Sequence, residues 1–372
     1  MVNRREALLA LGALALSSSS SSRDSPAIPD NEFRKFEKYN NFVRKRHADD
    51  YAITTPNGIN QAKYLNIGGI QQWVTVRGED LDNPVVLLLH GGPGDCTNPW
   101  GYAGFRTWLK DYTIVQWDQR GAGRTLGRNG LAIANTVTID RMVQDGVELA
   151  DAVRTWLRKN QIVLLGHSWG SVLGALIARK APQFFQAYVG TGQVGHTAGA
   201  YDVAFTALLA EARVRGEGRA IRELQEIGPP PYKDGRGYQV QRRWSNFFEG
   251  ADAFIASMVG FALTAPGYTI RDVNDWSDGM VLSAEKLISQ ENALSPALLG
   301  GRFKLPVFVI QGEADFTTPA SLAKAFVDHL EAPRKAFVTI KGGHFAVFMH
   351  SPEFLRQLSA LLVPGSAKPQ PG

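Results

Sequence analysis

Two stretches of this chain, Leu87-Leu88-Leu89 and Ile162-Val163-Leu164-Leu165, carry apolar side chains at consecutive positions. A strand points successive side chains to opposite faces, so an unbroken apolar run needs cover on both sides of its sheet. From Gln71 onward such runs alternate with amphipathic stretches of helix length. That alternation is the pattern of an α/β chain, with a mostly parallel sheet covered by helices on both faces. The expected strands are Gln71–Val76, Val85–His90, Thr113–Trp117, Ile162–Gly166, Phe185–Gly190, Leu305–Gln311 and Lys335–Ile340. Helices are expected over Asp140–Lys159, Ser171–Ala181, Pro319–Leu330 and Pro352–Leu362.

The alternation stops near His196 and returns at Leu305. The interval is helical and aromatic in pattern, broken by Gly228-Pro229-Pro230-Pro231 and Ala265-Pro266-Gly267. It reads as an inserted helical cap over 196–300, set in a core formed by 61–195 and 301–363. Residues 23–60 are polar and charged and are expected to form an arm packed on the core, and Pro364 to Gly372 a frayed tail.

The first residues have a different character. Arg4-Arg5 precede the apolar run Ala7–Leu16, and a serine run, Ser17–Ser22, follows it. This is the layout of a twin-arginine-like export signal over 1–22, which implies a periplasmic or secreted protein. The alternative is an amphipathic first helix on a cytoplasmic protein. The apolar run is too short to cross a bilayer, so stable membrane insertion is not expected. The net charge of +5 arises from 40 basic and 35 acidic residues spread along the chain, which gives nucleic-acid binding little support. Cys96 is the only cysteine, so no intramolecular disulfide can form. Nothing in the sequence bears on oligomeric state.

The residues that carry chemistry follow the expected strands. Gly166-His167-Ser168-Trp169-Gly170 stands between an apolar strand and a helix, the setting of a G-x-S-x-G nucleophile elbow. Such a turn is so tight that side chains at the flanking positions would clash, and it lifts the serine hydroxyl to the end of the sheet. A serine hydroxyl needs a base at neutral pH, and the base needs an orienting acid. Asp315, in Gly312-Glu313-Ala314-Asp315, and His344, in Lys341-Gly342-Gly343-His344, each follow an expected strand and come in the order serine, acid, histidine. Glu313 is the alternative acid. His90 is expected to hold its glycine loop and His167 to point into the core. His350, followed by Ser351-Pro352, is expected at the start of the last helix, and His47, His196 and His329 have no comparable setting.

Acyl transfer also needs donors for the oxyanion. The loop His90-Gly91-Gly92-Pro93-Gly94 can supply the N–H of Gly92, and the residue after the serine supplies that of Trp169. A phosphate-binding loop would end in Lys-Ser or Lys-Thr, which is missing here. Cys96 lies in the glycine and proline loop without a strand-to-helix setting, which disfavours a thiol nucleophile. Neither metal-ligand spacing nor a dinucleotide fingerprint is present, so no cofactor and no metal are expected.

Taken together, His90-Gly-Gly-Pro-Gly94, Asp118-Gln-Arg-Gly-Ala-Gly123-Arg124, Gly166-His-Ser-Trp-Gly170, Gly312-Glu-Ala-Asp315 and Gly343-His344 resemble the proline iminopeptidase (prolyl aminopeptidase) family of α/β-hydrolases. The resemblance covers roughly residues 60–195 and 300–363. It implies an α/β-hydrolase fold and a serine aminopeptidase that removes an N-terminal residue from a small peptide. It also implies cap carboxylates for the free amino group. Trp244-Ser-Asn-Phe-Phe-Glu249-Gly250 is similar to the family's cap segment with one extra residue, which makes Glu249 the candidate amine anchor, while the aromatic density of the insertion makes Trp244 and Phe248 candidate substrate-binding residues. The family's second cap glutamate has no match. That departure keeps open an exported esterase, lactonase or amidase for a small apolar substrate, built on the same three residues.

Overall fold

The computed structural model describes residues 30–195, 199–232, 235–294, 299 and 301–363. The expected export signal, His196 and the C-terminal tail lie outside them. Helix α1 (Asp30–Asp50) precedes strands β1 (Ile59–Ile67), β2 (Ile70–Gly78) and β3 (Val85–Leu89). Then come α2 (Asn98–Gly104), β4 (Thr113–Trp117), α3 (Gly123–Asn129) and α4 (Ile139–Leu157). The elbow joins β5 (Ile162–His167) to α5 (Trp169–Lys180), and β6 (Phe185–Thr191) follows. Helices α6 (Ala200–Val214), α7 (Gly218–Ile227), α8 (Gly235–Glu249), α9 (Asp252–Leu263) and α10 (Ile270–Asn292) fill the interval before β7 (Val307–Gly312). The chain closes with α11 (Ala320–His329), β8 (Lys335–Ile340), α12 (Ala346–Met349) and α13 (Ser351–Leu362).

The strands form one eight-stranded sheet in the order β1-β2-β4-β3-β5-β6-β7-β8. Only β1 with β2 and β2 with β4 run antiparallel; the remaining pairs are parallel. β3, β4, β5 and β7 are buried at every position, as consecutive apolar residues require. Alternate side chains go to opposite faces. Val85, Leu87, Leu89, Ile162 and Leu164 pack with residues of α4, α5 and α11. Val86, Leu88, Val163 and Leu165 pack with Trp100 of α2 and with Phe354 and Leu358 of α13.

β1 was not among the expected strands, and α1 lies in what read as a polar arm. As an edge strand β1 is exposed over its central residues, so it shows no apolar run. Its hairpin with β2 turns on Gly68 and Gly69, whose φ values of 57° and 76° put both in the left-handed region that glycine tolerates. The inserted helices bury a cluster of their own, Phe205, Leu208, Leu224, Val240, Trp244 and Phe248, while Met258 and Val259 of α9 and Trp276 of α10 join the cluster over the sheet. Among the described residues no helix is long and apolar enough to cross a membrane.

Candidate active site

Ser168 follows β5 and caps α5 with φ 55° and ψ −125°. A non-glycine residue held there stores on the order of 1–3 kcal/mol of backbone strain. The surrounding glycines explain why the turn closes. A Cβ at Gly170 would run into the carbonyl of Leu89, and one at Gly166 into the backbone of Gly170. The N–H of Ser168 donates to Thr191 O at 3.0 Å, tying the elbow to β6.

Two loops bring the partners. The loop after β7 carries Asp315 and the loop after β8 carries His344. They are stitched together by Glu313 N–H to Ile340 O (3.0 Å) and Ala314 N–H to Gly342 O (2.9 Å). His344 Nε2 lies 3.0 Å from Ser168 Oγ, and its Nδ1 lies 3.0 Å from Asp315 Oδ2. Asp315 is itself fixed by the N–H groups of Thr317 (2.9 Å) and Thr318 (2.7 Å), the Thr318 hydroxyl (2.7 Å) and the Gln311 amide (2.9 Å). Asp315 and His344 are only 4% and 2% exposed, so little water competes for these bonds. Glu313 points to solvent. His167 is buried beside the site rather than turned away into the core, its ring 4.9 Å from that of His344.

The glycine loop is set by the segment after β4. His90 donates from Nδ1 to Gly91 O (2.9 Å) and accepts the Gln119 N–H at Nε2 (3.2 Å), and burial pushes its pKa down to about 4, so it is neutral. The Gln119 amide donates to His90 O (3.1 Å) and accepts the Trp169 indole N–H (3.1 Å), bracing the loop against the elbow. Asp118 accepts from Asn98 (2.7 Å) and from the Arg124 N–H (2.9 Å), and burial raises its pKa to about 7. Arg120 is buried against Asp145 at 2.6 Å. Gly92, with φ 116°, and Trp169 both border the cleft at Ser168. Trp169 is the first residue of α5, where a helix leaves its N–H groups without intrahelical acceptors. Cys96 is fully buried, and burial raises its thiol pKa well above the usual value, which leaves it a protonated packing residue.

The structure places the three candidates in the insertion elsewhere than expected from the sequence. Trp244 and Phe248 face the insertion's own core, and the Trp244 indole donates to Glu223 at 2.9 Å. Glu249 does not border either cleft at Ser168. It ends α8 with one carboxylate oxygen accepting the N–H of Phe316 (2.9 Å) and the other accepting that of His344 (2.6 Å). Burial and the charge of Asp315 together raise its pKa to about 8. An acid in that position pins the two loops on which Asp315 and His344 stand.

Two spaces that share Gly92, Pro93 and Ile288 in their walls flank Ser168. One, of about 410 Å³, is walled by Ile255, Met258, Val259, Trp276 and Met280 and contains Asp95. The other, of about 280 Å³, contains Glu291 and Tyr238. Arg242 borders both. Asp95 Oδ1 accepts the Trp276 indole N–H (2.6 Å) and the Cys96 N–H (2.8 Å), and burial raises its pKa to about 6. Burial likewise raises Glu291 to about 7. The sequence reading did not single out Asp95, although it directly follows His90-Gly-Gly-Pro-Gly94. Glu291 and Arg242 had no local signal, since only the packing of α8 and α10 brings them to the cleft. Among the described residues no group of three or more metal-binding side chains comes together.

Comparison with known proteins agrees with this architecture. The chain is 27% identical over 279 residues to the probable aminopeptidase YbaC of Bacillus subtilis, covering 73% of this chain and 86% of that one. It is 32% identical over 114 residues to the proline iminopeptidase of Lactobacillus delbrueckii subsp. lactis, covering 31% of this chain and 37% of that one. The crystal structure of a proline iminopeptidase-related protein from Thermus thermophilus superimposes with a TM-score of 0.57 at 20% identity, covering 82% of this chain and 99% of that one, and so shares the fold. Because the alpha/beta hydrolase fold family also matches residues 84–351, most of the sheet included, the chain belongs to that family and is a serine hydrolase.

Proposed function

We propose that the protein is an aminopeptidase that releases an N-terminal residue from small peptides through Ser168, His344 and Asp315. The observation that carries this reading is the unbroken line from Ser168 Oγ to His344 Nε2 (3.0 Å) and from His344 Nδ1 to Asp315 Oδ2 (3.0 Å), at the floor of a cleft. His344 takes the Ser168 proton as Oγ attacks the scissile carbonyl, and Asp315 holds the imidazole in the required tautomer and stabilises its charged form. The N–H groups of Gly92 and Trp169 receive the oxyanion, commonly the largest single contribution, with about 3 kcal/mol lost per missing donor. His344 then gives its proton to the leaving amine, and water repeats the sequence on the acyl-enzyme.

The names of the relatives support a peptide substrate with a free amino group. With Glu249 committed to backbone donors, we assign the ammonium to Asp95, which lines the larger space at Ser168, where the apolar wall suits a small side chain, rather than to Glu291 in the smaller space. Above about pH 6 Asp95 is ionised, and below about pH 8 a peptide amine is protonated. The two charges therefore coexist only between these limits. An esterase or lactonase reading draws on the same apolar wall, and one assay separates the two. Turnover of a short acyl ester without cleavage of a proline arylamide overturns the aminopeptidase. The twin-arginine-like leader makes export part of the proposal, and a mature chain that keeps Met1 would contradict it.

A further inference from the structure

A cavity of about 390 Å³ lies between α1, the antiparallel end of the sheet and the turn from α9 to α10, and it shares no lining residue with the spaces at Ser168. Its volume is that of an ordinary small-molecule site. Its walls are aromatic, with Tyr51 edge-on to Tyr102 at 5.1 Å between centroids, and with Trp73 and Tyr268 opposite. The Arg124 guanidinium lies 3.8 Å from the centroid of the Tyr268 ring and is matched in charge by Asp272 at 2.7 Å.

Arg77, on β2, has no such match. It is 8% exposed, and one of its terminal nitrogens donates to Tyr51 O at 2.5 Å, while its Nε has no partner. Among the described residues no carboxylate pairs with it, and no acidic residue lines the cavity. The like charge of Arg106, itself paired with Glu79, acts on it and adds to the cost. Burial lowers the Arg77 pKa only to about 10, so the side chain stays charged at neutral pH. Beside it Gln116, 2% exposed, has an amide oxygen with no donor. A buried charge without a counter-charge and a buried acceptor without a donor are both costly. Within one aromatic cavity, they are the complement of a ligand.

We infer that this cavity binds a small organic carboxylate with a flat apolar body, its carboxylate on Arg77 and a hydroxyl or amino donor on Gln116. The aromatic walls take the flat body edge-on or stacked. Binding here is separate from turnover at Ser168, so this site and the peptidase reading stand or fall independently.

Isothermal titration of the full chain with 4-hydroxybenzoate, and with its uncharged counterpart 4-hydroxybenzamide, tests the assignment. Wild type and Ser168→Ala are expected to bind the carboxylate equally, and the amide at least about tenfold more weakly. Arg77→Gln, checked for cooperative thermal unfolding, is expected to lose at least about tenfold in affinity for the carboxylate. Should that variant not fold, hydrogen exchange on wild type serves instead, with carboxylate-dependent protection expected in α1 and β2. No heat with either compound would mean that the cavity holds water only, and it would overturn the inference. Equal binding of acid and amide, unchanged binding in Arg77→Gln, or loss of binding once Ser168 is covalently labelled would do the same.

Discussion

Replacing Glu249 separates a residue that holds the loops of Asp315 and His344 from one that touches the substrate. Its carboxylate accepts the N–H groups of Phe316 and His344 at 2.9 and 2.6 Å. Glu249→Ala leaves both without a partner, at about 1–3 kcal/mol each. The total is on the order of 2–6 kcal/mol. Glu249→Gln retains one acceptor and turns an NH2 toward the other donor, so it costs about one such bond, ~1–3 kcal/mol. The freed His344 backbone lets the imidazole drift from Ser168, and on the order of tenfold in kcat corresponds to about 1.4 kcal/mol of lost positioning. Urea unfolding gives the stability change, and steady-state kinetics on a proline arylamide gives kcat and KM. The reasoning requires kcat to fall with KM within about twofold of wild type, the pattern of an interaction that is not made to bound substrate. A tenfold rise in KM at unchanged kcat and unchanged stability would refute it and return Glu249 to the role of amine anchor.

Asp95→Asn is expected to raise KM for a proline arylamide about tenfold or more, consistent with a lost charge-assisted bond of ~1.5–3 kcal/mol, while turnover of an acyl ester changes little; equal loss on both substrates would count against Asp95 as the ammonium anchor. For the wild type, KM for the arylamide should rise below about pH 6, where Asp95 takes up a proton, and a flat profile down to about pH 5 would contradict the assignment. Asp145→Ala strands Arg120, which is 1% exposed at its side chain, and should cost about 3–5 kcal/mol in urea unfolding. Asp118 is raised to about 7 in the folded protein and titrates near pH 4 when unfolded, so its stabilising contribution is full below about pH 4 and lost as pH rises through about 7. Asp118→Asn should therefore flatten the decline of Tm over that window, and a decline unchanged by the substitution would contradict this.

The sheet and the three-residue line were legible for a physical reason. Central strands buried on both faces must be apolar throughout, and an elbow this tight must have glycine at 166 and 170, so both leave marks in a single sequence. The edge strand β1 left only the Gly68-Gly69 turn, since its exposed face tolerates polar residues. The segment between β6 and β7 was legible as helical but not in its pairing. Whether Glu249 faces substrate or backbone depends on how α8 meets the loops after β7 and β8, a contact between segments about seventy and ninety-five residues apart that no local pattern records. Trp244 and Phe248 illustrate the same limit, because an aromatic at helical spacing reads alike whether it lines a pocket or fills a core. Asp95 was hidden by the opposite cause, for a lone acid after a glycine loop looks like an ordinary turn residue until Trp276 is seen to point at it.

The central claim is that Ser168 is made nucleophilic by His344 and Asp315. Labelling with a fluorophosphonate probe, followed by mass spectrometry of the intact chain, tests it most directly. One adduct on wild type, located at Ser168, with none on Ser168→Ala and labelling at least about a hundredfold slower in His344→Ala, consistent with the 10²–10⁴-fold contribution of a positioned general base, is the predicted result. An adduct on Ser168→Ala, or full-rate labelling without His344, would contradict it.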